Sequence, residues 1–228
     1  MWITLDLDNT LMNNPYWHLF LRPWLAVEAK RQGTDPLALY EALNREGEAR
    51  WRRGRWVESF DWPDMAKAIG LSPLPDPPAP DPAAVRPLVK DGAVALLHAL
   101  HHSGASLALV TNGFSRFQTP YLQALGWTDL FHRIITPDVV GYAKPDPRML
   151  EHCDPGLVHI GDRLTHDVLL ALRTHRRAIW IAADPPPVER DRIDRLMPAH
   201  IQADFRVASL AACVPLLDRL FRARTFRL

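Results

Sequence analysis

The spacing of apolar positions changes along this chain. The opening MWITLDL is an apolar, β-branched run closed by Asp, Asn and Pro, which predicts a short buried strand. The next such run is SLALVTNG at 106–113. From there strand and helix patterns alternate: SRFQTPYLQALGW reads as helix, RIITP as strand, DPRMLEH as helix, GLVHIGD as strand, HDVLLALRTH as helix and RAIWIAA as strand. A short strand near ADFRV and a last helix over ASLAACVPLLDRLF complete the series. Such alternation predicts right-handed crossovers and an α/β fold with a doubly wound, mostly parallel sheet covered on both faces.

Residues 13–87 break this rhythm, and no strand pattern occurs in them. Tyr16, Leu19, Phe20, Trp24 and Val27 recur at helical spacing. Asp35 followed by Pro36 announces a second helix through LALYEALNREGEARW, and a third spans Trp62 to Ile69, before Gly70. This reads as a small helical bundle inserted into an α/β core made of 1–12 and 88–228. Five of the eight tryptophans, Trp17, Trp24, Trp51, Trp56 and Trp62, fall in the insert and are read as bundle core ahead of substrate contacts. The stretch LSPLPDPPAPDPAAVRP has seven prolines in seventeen residues and predicts an extended, semi-rigid return connector. A helix from Asp91 to just before Gly104 follows, with Val94, Leu97 and Leu100 on its apolar stripe.

Composition narrows the class. With 47% hydrophobic and 23% charged residues over 228 positions, the chain is neither disordered nor built around a membrane span, since no apolar run approaches the roughly 18 residues a span needs. The opening has no basic region ahead of an apolar core, so the expectation is no leader and a cytoplasmic protein. A net charge of +1 gives no electrostatic case for a nucleic acid polymer or a membrane as partner. The arginine-rich end RLFRARTFRL is read as a solvated helix end and tail. Cys153 and Cys213 have no metal or redox spacing and are read as reduced, partly buried thiols; oligomeric state stays open.

The chemistry lies at the strand ends, where ligands of parallel sheets bind. LDLDNT supplies Asp6, Asp8 and Thr10; LVTNG supplies Thr111, Asn112 and Gly113; GYAKPDP supplies Lys144; and HIGDRLTHD supplies Asp162 and Asp167. Several carboxylates in one crevice raise each other's pKa unless a cation is present. Mg²⁺, which takes oxygen ligands from one or two carboxylates plus phosphate, suits Asp6 and Asp162. Lys144, Thr111 and the backbone N–H groups through Gly113 would then bind an anion. Asp6 and Asp8 lie two residues apart and point to one side of an extended strand end. One can attack phosphorus while its neighbour handles the proton.

These motifs resemble the haloacid dehalogenase superfamily. D-x-D-x-T occurs as DLDNT, the apolar strand ending in Thr as LALVTNG, the lysine in AKPDP and G-D-x-x-x-x-D as GDRLTHD. The helical insert resembles the cap of the subgroup that places it between the first two motifs. The resemblance implies Asp6 as nucleophile and Mg²⁺ ligand, and Asp8 as general acid and base with its backbone carbonyl on the metal. It further implies Thr111 and Asn112 on the phosphoryl oxygens, Lys144 as electrostatic stabiliser, Asp162 as metal ligand and Asp167 as anchor of the metal through water or through its ligands. An acid at Asp8 implies phosphoryl rather than halide chemistry. TNGFSRFQTPYLQALGW and VVGYAKPDP are similar to the branch containing nucleoside 5′-monophosphate phosphatases and N-acylneuraminate-9-phosphate phosphatase. His175 stands where that pattern has glycine, which predicts a changed turn.

The expected activity is Mg²⁺-dependent hydrolysis of a small phosphorylated metabolite, such as a nucleoside monophosphate or sugar phosphate, through an aspartyl-phosphate. Two other readings stay open: a phosphomutase using the same intermediate, and a non-catalytic phospho-acceptor module. His159 is read as a packed strand residue, and His166 is left open as a contact for solvent or substrate. Which of Tyr16, Trp17, His18 or Arg55 faces the site is not fixed by helical periodicity.

Overall fold

The computed structural model describes residues 1–182 and 201–225. Six strands form one sheet in the order β3-β2-β1-β4-β5-β6: β1 (Trp2–Leu5), β2 (Ser106–Val110), β3 (Arg133–Ile135), β4 (Gly156–Gly161), β5 (Arg177–Ile181) and β6 (Phe205–Val207). Every pairing is parallel, with Leu5 opposite both Leu109 and Ile160. The chain winds outward from β1 through β2 to β3, then returns to β4 on the other side of β1. The strand order therefore reverses at β1, and a crevice opens at its carboxyl end.

Alternation along the central strands builds the core on both faces. In β2, Leu107 and Leu109 join the large cluster with Leu96, Leu97 and Leu100 of α5 (Ala93–His102) and Phe117, Tyr121 and Leu122 of α6 (Ser115–Leu125), while Ala108 and Val110 face Met149, Leu150 and Leu170. The α5 stripe is Ala93, Leu96, Leu97 and Leu100; Val94, expected inside, is 50% exposed. A short helix, α7 (Pro137–Val140), follows β3. The segment expected as a helix around DPRMLEH is a 3-10 turn, Pro147–Leu150, because prolines at 145 and 147 remove two backbone donors. The last helix starts later than expected, at Cys213, with Pro215 in its first turn, and runs to Thr225; the final three residues of the arginine-rich tail lie outside the described residues. Cys153 and Cys213 are both free and buried.

The insert is helical. A π-helical turn (Trp17–Leu21) leads into α1 (Arg22–Gln32), followed by α2 (Pro36–Arg52) and α3 (Trp62–Ala68). Asp35 caps α2 by accepting from the Leu37 N–H at 3.1 Å. Leu25, Ala29, Leu39, Leu43, Met65 and Ala66 form its apolar interior, while Val27, placed on that stripe by spacing, is 70% exposed. All five tryptophans of the insert are half-buried rather than enclosed. Gly47 of α2 allows close packing, since a Cβ there would sit 3.1 Å from Met65 Sδ and 3.2 Å from the Ser59 carbonyl. The two segments joining insert and sheet run side by side: Asn13 N donates to Leu88 O at 2.8 Å and Lys90 N to Leu11 O at 3.0 Å. The proline-rich return carries a short helix, α4 (Pro82–Val85). No helix among the described residues is long and apolar enough to cross a membrane.

Candidate active site

A crevice of 660 Å³ lies between the carboxyl edge of the sheet and the inserted helices. Of the residues predicted from the sequence, Asp6, Asp8, Thr111, Asn112, Gly113, Lys144, Asp162 and Asp167 line it. Sheet register brings them together. Asp6 N still bonds Ile160 O at 2.9 Å and Thr111 N bonds Ile135 O at 3.1 Å, so neighbouring strands end level. Thr10 is placed differently. It is fully buried, it is not in the crevice wall, and its hydroxyl contacts Asp162 Oδ1 at 3.4 Å, which makes it a support for that acid rather than a substrate contact.

Lys144 is the hub of the floor. Its ammonium donates to Asp6 Oδ1 at 2.6 Å and to Asp167 Oδ1 at 2.7 Å while only 2% exposed. Burial opposes its charge, but Asp167 and Asp6 outweigh that and hold its pKa above the ordinary lysine range. Asn112 fixes the lysine's backbone from both sides, donating to Lys144 O at 3.2 Å and accepting from Lys144 N at 2.7 Å. The Gly113 N–H is directed to Thr111 Oγ1 at 3.1 Å.

The acids have unlike surroundings. Asp167 Oδ1 also meets His159 Nε2 at 3.1 Å, and Oδ2 accepts from the backbone N–H groups of Asp162 and Arg163 at 3.1 and 2.9 Å. Burial pushes Asp167 upward, yet Lys144 and His159 outweigh it and depress its pKa. Asp6 goes the other way: burial, with the Asp167 charge behind it, raises its pKa against the pull of Lys144. Asp8 is pushed up to about 7 by burial and by the charge of Asp6, with a bond from Gln118 opposing. Thus three neighbouring carboxylates differ in proton affinity because their partners differ.

The local chain path explains why Asp167 fits. After β4 the backbone makes a π-helical turn (Leu164–Val168) leading into α8 (Leu169–Arg173), which folds Asp167 back under Gly161. A Cβ at Gly161 would lie 2.2 Å from Asp167 Cγ, so only glycine is accommodated. The turn after α8 places His175, which stands where the motif has glycine, in the left-handed region at φ 54°, a conformation that favours glycine.

Oxygens of Asp6, Asp162 and Asp167 lie within 4.8 Å of one another. An all-carboxylate donor set suits a hard divalent cation such as Mg²⁺. Asp6 Oδ2 is buried with no protein partner, as a metal-directed oxygen would be, whereas both oxygens of Asp167 are taken by protein donors.

Two site residues escaped sequence reasoning. Gln118 of α6 donates to Asp8 Oδ2 at 2.6 Å. Its passage requires Gly113, where a Cβ would lie 1.9 Å from Gln118 Nε2. His159 is packed, as expected, but also bridges Thr4 Oγ1 at 2.8 Å and Asp167. Burial lowers its pKa, and the network assigns a neutral ring with the proton on Nε2 toward Asp167. On the side of the inserted helices, Tyr16, Trp17 and His18 line the crevice; Arg55 does not, and pairs with Glu58 at 3.2 Å. His166 lines it too, its ring edge-on to Phe60 at 5.6 Å.

Residues 1–173 match the family described as haloacid dehalogenase-like hydrolase. The chain belongs to this hydrolase family. The chain is 29% identical over 100 residues to pyrimidine 5'-nucleotidase YjjG of Escherichia coli, covering 40% of this chain and 44% of that protein. It is 35% identical over 159 residues to validoxylamine A 7'-phosphate phosphatase of Streptomyces hygroscopicus subsp. limoneus, covering 62% and 64%. The match thus spans less than two thirds of either relative. The HAD phosphatase of Thermococcus onnurineus shares the fold, with a TM-score of 0.67, 22% identity and coverage of 94% of this chain and 96% of that one.

Proposed function

We propose that this hydrolase removes phosphate from a small phosphate monoester, with Asp6 as nucleophile. The observation that carries the proposal is the Lys144 ammonium held between Asp6 and Asp167, beside Asp162, on the floor of a crevice. Asp6 attacks phosphorus, and the bond from phosphorus to the leaving oxygen breaks as Asp8 gives that oxygen a proton. Asp8 then takes a proton from water, the water oxygen attacks the phosphoryl group, and Asp6 is released with inorganic phosphate. Gln118 holds Asp8 Oδ2, which leaves Oδ1, buried without a protein partner, as the atom that carries the proton.

Asp6 and Asp162 would hold Mg²⁺, with the Asp8 carbonyl, while Asp167 orients Lys144 and the loop at Asp162. The ion would supply charge neutralisation at the phosphoryl oxygens. Thr111 and the adjoining backbone would bind those oxygens, with Asn112 keeping Lys144 in place. Residues 13–87 would act as a cap over the core formed by 1–12 and 88–228. The names of the two relatives support phosphate monoesters as substrates, one a pyrimidine nucleotide and the other validoxylamine A 7'-phosphate.

The test is phosphate release from nucleotides, sugar phosphates and phosphoglycolate, with Mg²⁺ and with chelator. Release that chelator abolishes is the expected result. A folded protein that releases phosphate from none of them would contradict the proposal and favour a mutase or a phospho-acceptor.

A further inference from the structure

Positive and negative groups are distributed unevenly around the crevice. On the sheet side are Lys144 and Arg163, close to the acids that hold the phosphoryl end. On the cap side, among the described residues, the lining includes two carboxylates, Glu41 and Glu48, and no lysine or arginine. Both glutamates have arginine neighbours, Glu41 at 3.6 Å from Arg45 and Glu48 at 2.5 Å from Arg52, but those arginines are 60% and 56% exposed and are not in the crevice wall. The paired arginines face solvent, so among the described residues the formal charges in that wall itself are those of Glu41 and Glu48.

The rest of the wall is rich in neutral hydrogen-bonding groups and aromatic faces. Asn14 and Asn44 contribute amides. The rings of Trp17 and Tyr40 sit 4.2 Å apart at their centroids and offer an apolar surface. The buried polar atoms of the lining without a protein partner include the Tyr16 hydroxyl, on a residue 2% exposed, and His166 Nε2, on a residue 6% exposed. A buried polar atom left without a partner is costly, which favours a ligand that supplies one.

We infer that the crevice selects a phosphate ester whose leaving group is rich in hydroxyl or amino groups and carries no second anion. This rests on the phosphatase reading and names its substrate class. A hydroxyl can accept from Tyr16 or the asparagine amides and donate to Glu41 or Glu48. A carboxylate or second phosphate at the same place meets those glutamates, and among the described residues no lysine or arginine lines that wall to bind it. An amine is favoured for the same reason, with an aromatic face beside it.

The experiment compares two esters that differ at one carbon: sorbitol phosphate and gluconate phosphate, both esterified at the sixth carbon. The expected kcat/KM ratio is about tenfold or more in favour of sorbitol phosphate. Replacing both glutamates, Glu41→Gln with Glu48→Gln, narrows the ratio to within about threefold, mainly through KM for the gluconate ester. Added salt narrows it in the unmodified protein, an arm that decides the matter even if the double variant does not fold. Equal kcat/KM values, or a preference for the gluconate ester, would overturn this inference while leaving the phosphatase reading intact. No turnover of any phosphate ester would overturn both.

Discussion

The floor and the cap wall of the crevice both carry carboxylates, yet they are organised in opposite ways. On the floor every acid is answered from within: Lys144 spans Asp6 and Asp167, His159 and two backbone N–H groups complete Asp167, Thr10 supports Asp162, and Gln118 holds Asp8. On the cap wall, Glu41 and Glu48 are answered from outside, by arginines facing solvent. Internal compensation fixes positions to the accuracy that bond making requires; external compensation leaves charge directed at whatever enters. In the proposed function the floor carries the chemistry and the wall the choice of substrate.

The strongest test of this contrast is Asp6→Asn. Turnover should fall to the assay background while circular dichroism stays native, because the amide oxygen of the substituted side chain can still accept from Lys144. Residual activity within about tenfold of wild type would place the nucleophile elsewhere. Asp8→Asn comes next, with turnover reduced by about 10²–10⁴-fold and Mg²⁺ affinity, read by calorimetry, nearly unchanged. Equal loss of both would make Asp8 a side-chain ligand instead of a proton carrier. Lys144→Met should lower stability by about 3–5 kcal/mol in urea unfolding, since it leaves two buried carboxylates without their cation. A loss below about 1 kcal/mol would mean the floor is not internally compensated.

The smallest effect belongs to the cap. Glu28 accepts from Arg31 at 2.9 and 2.6 Å, from Gln32 at 2.7 Å and from the Ser72 N–H at 3.0 Å, tying α1 to the return connector. The bonds from Arg31, with those from Ser72 and Gln32, hold its pKa well below the usual 4.5. A depressed folded pKa adds stability above the unfolded value and loses it as pH falls through the folded one. The Tm of wild type should therefore exceed that of Glu28→Gln at neutral pH, and the gap should close in acid. A gap independent of pH would show that the carboxylate charge contributes nothing.

Much of the floor could be read from sequence because its residues sit at strand ends, where an apolar run stops on a polar residue and sheet register does the rest. Asp6, Thr111 and Asp162 needed no tertiary knowledge beyond a parallel sheet. Gln118 did: it meets Asp8 across 110 positions, and its only local sign is a glycine at 113 followed by a polar residue on the buried face of α6. Thr10 followed its motif in sequence but turned inward toward Asp162. In the cap, helical spacing alone could not orient the faces, so Val27 was assigned to the interior and Glu41, Asn44 and Glu48 were not singled out. Three or four residues per turn leave two neighbouring stripes nearly equivalent until packing chooses between them.

The central claim is that Asp6 carries the phosphoryl group, and one measurement reaches it directly. Protein quenched in acid during turnover of a phosphate ester with Mg²⁺ is digested and analysed by mass spectrometry. The account predicts one phosphoryl group on the peptide containing Asp6, removed by hydroxylamine and absent from Asp6→Asn. Sustained turnover with no phosphoryl group on that peptide, or with the group on another residue, would contradict it.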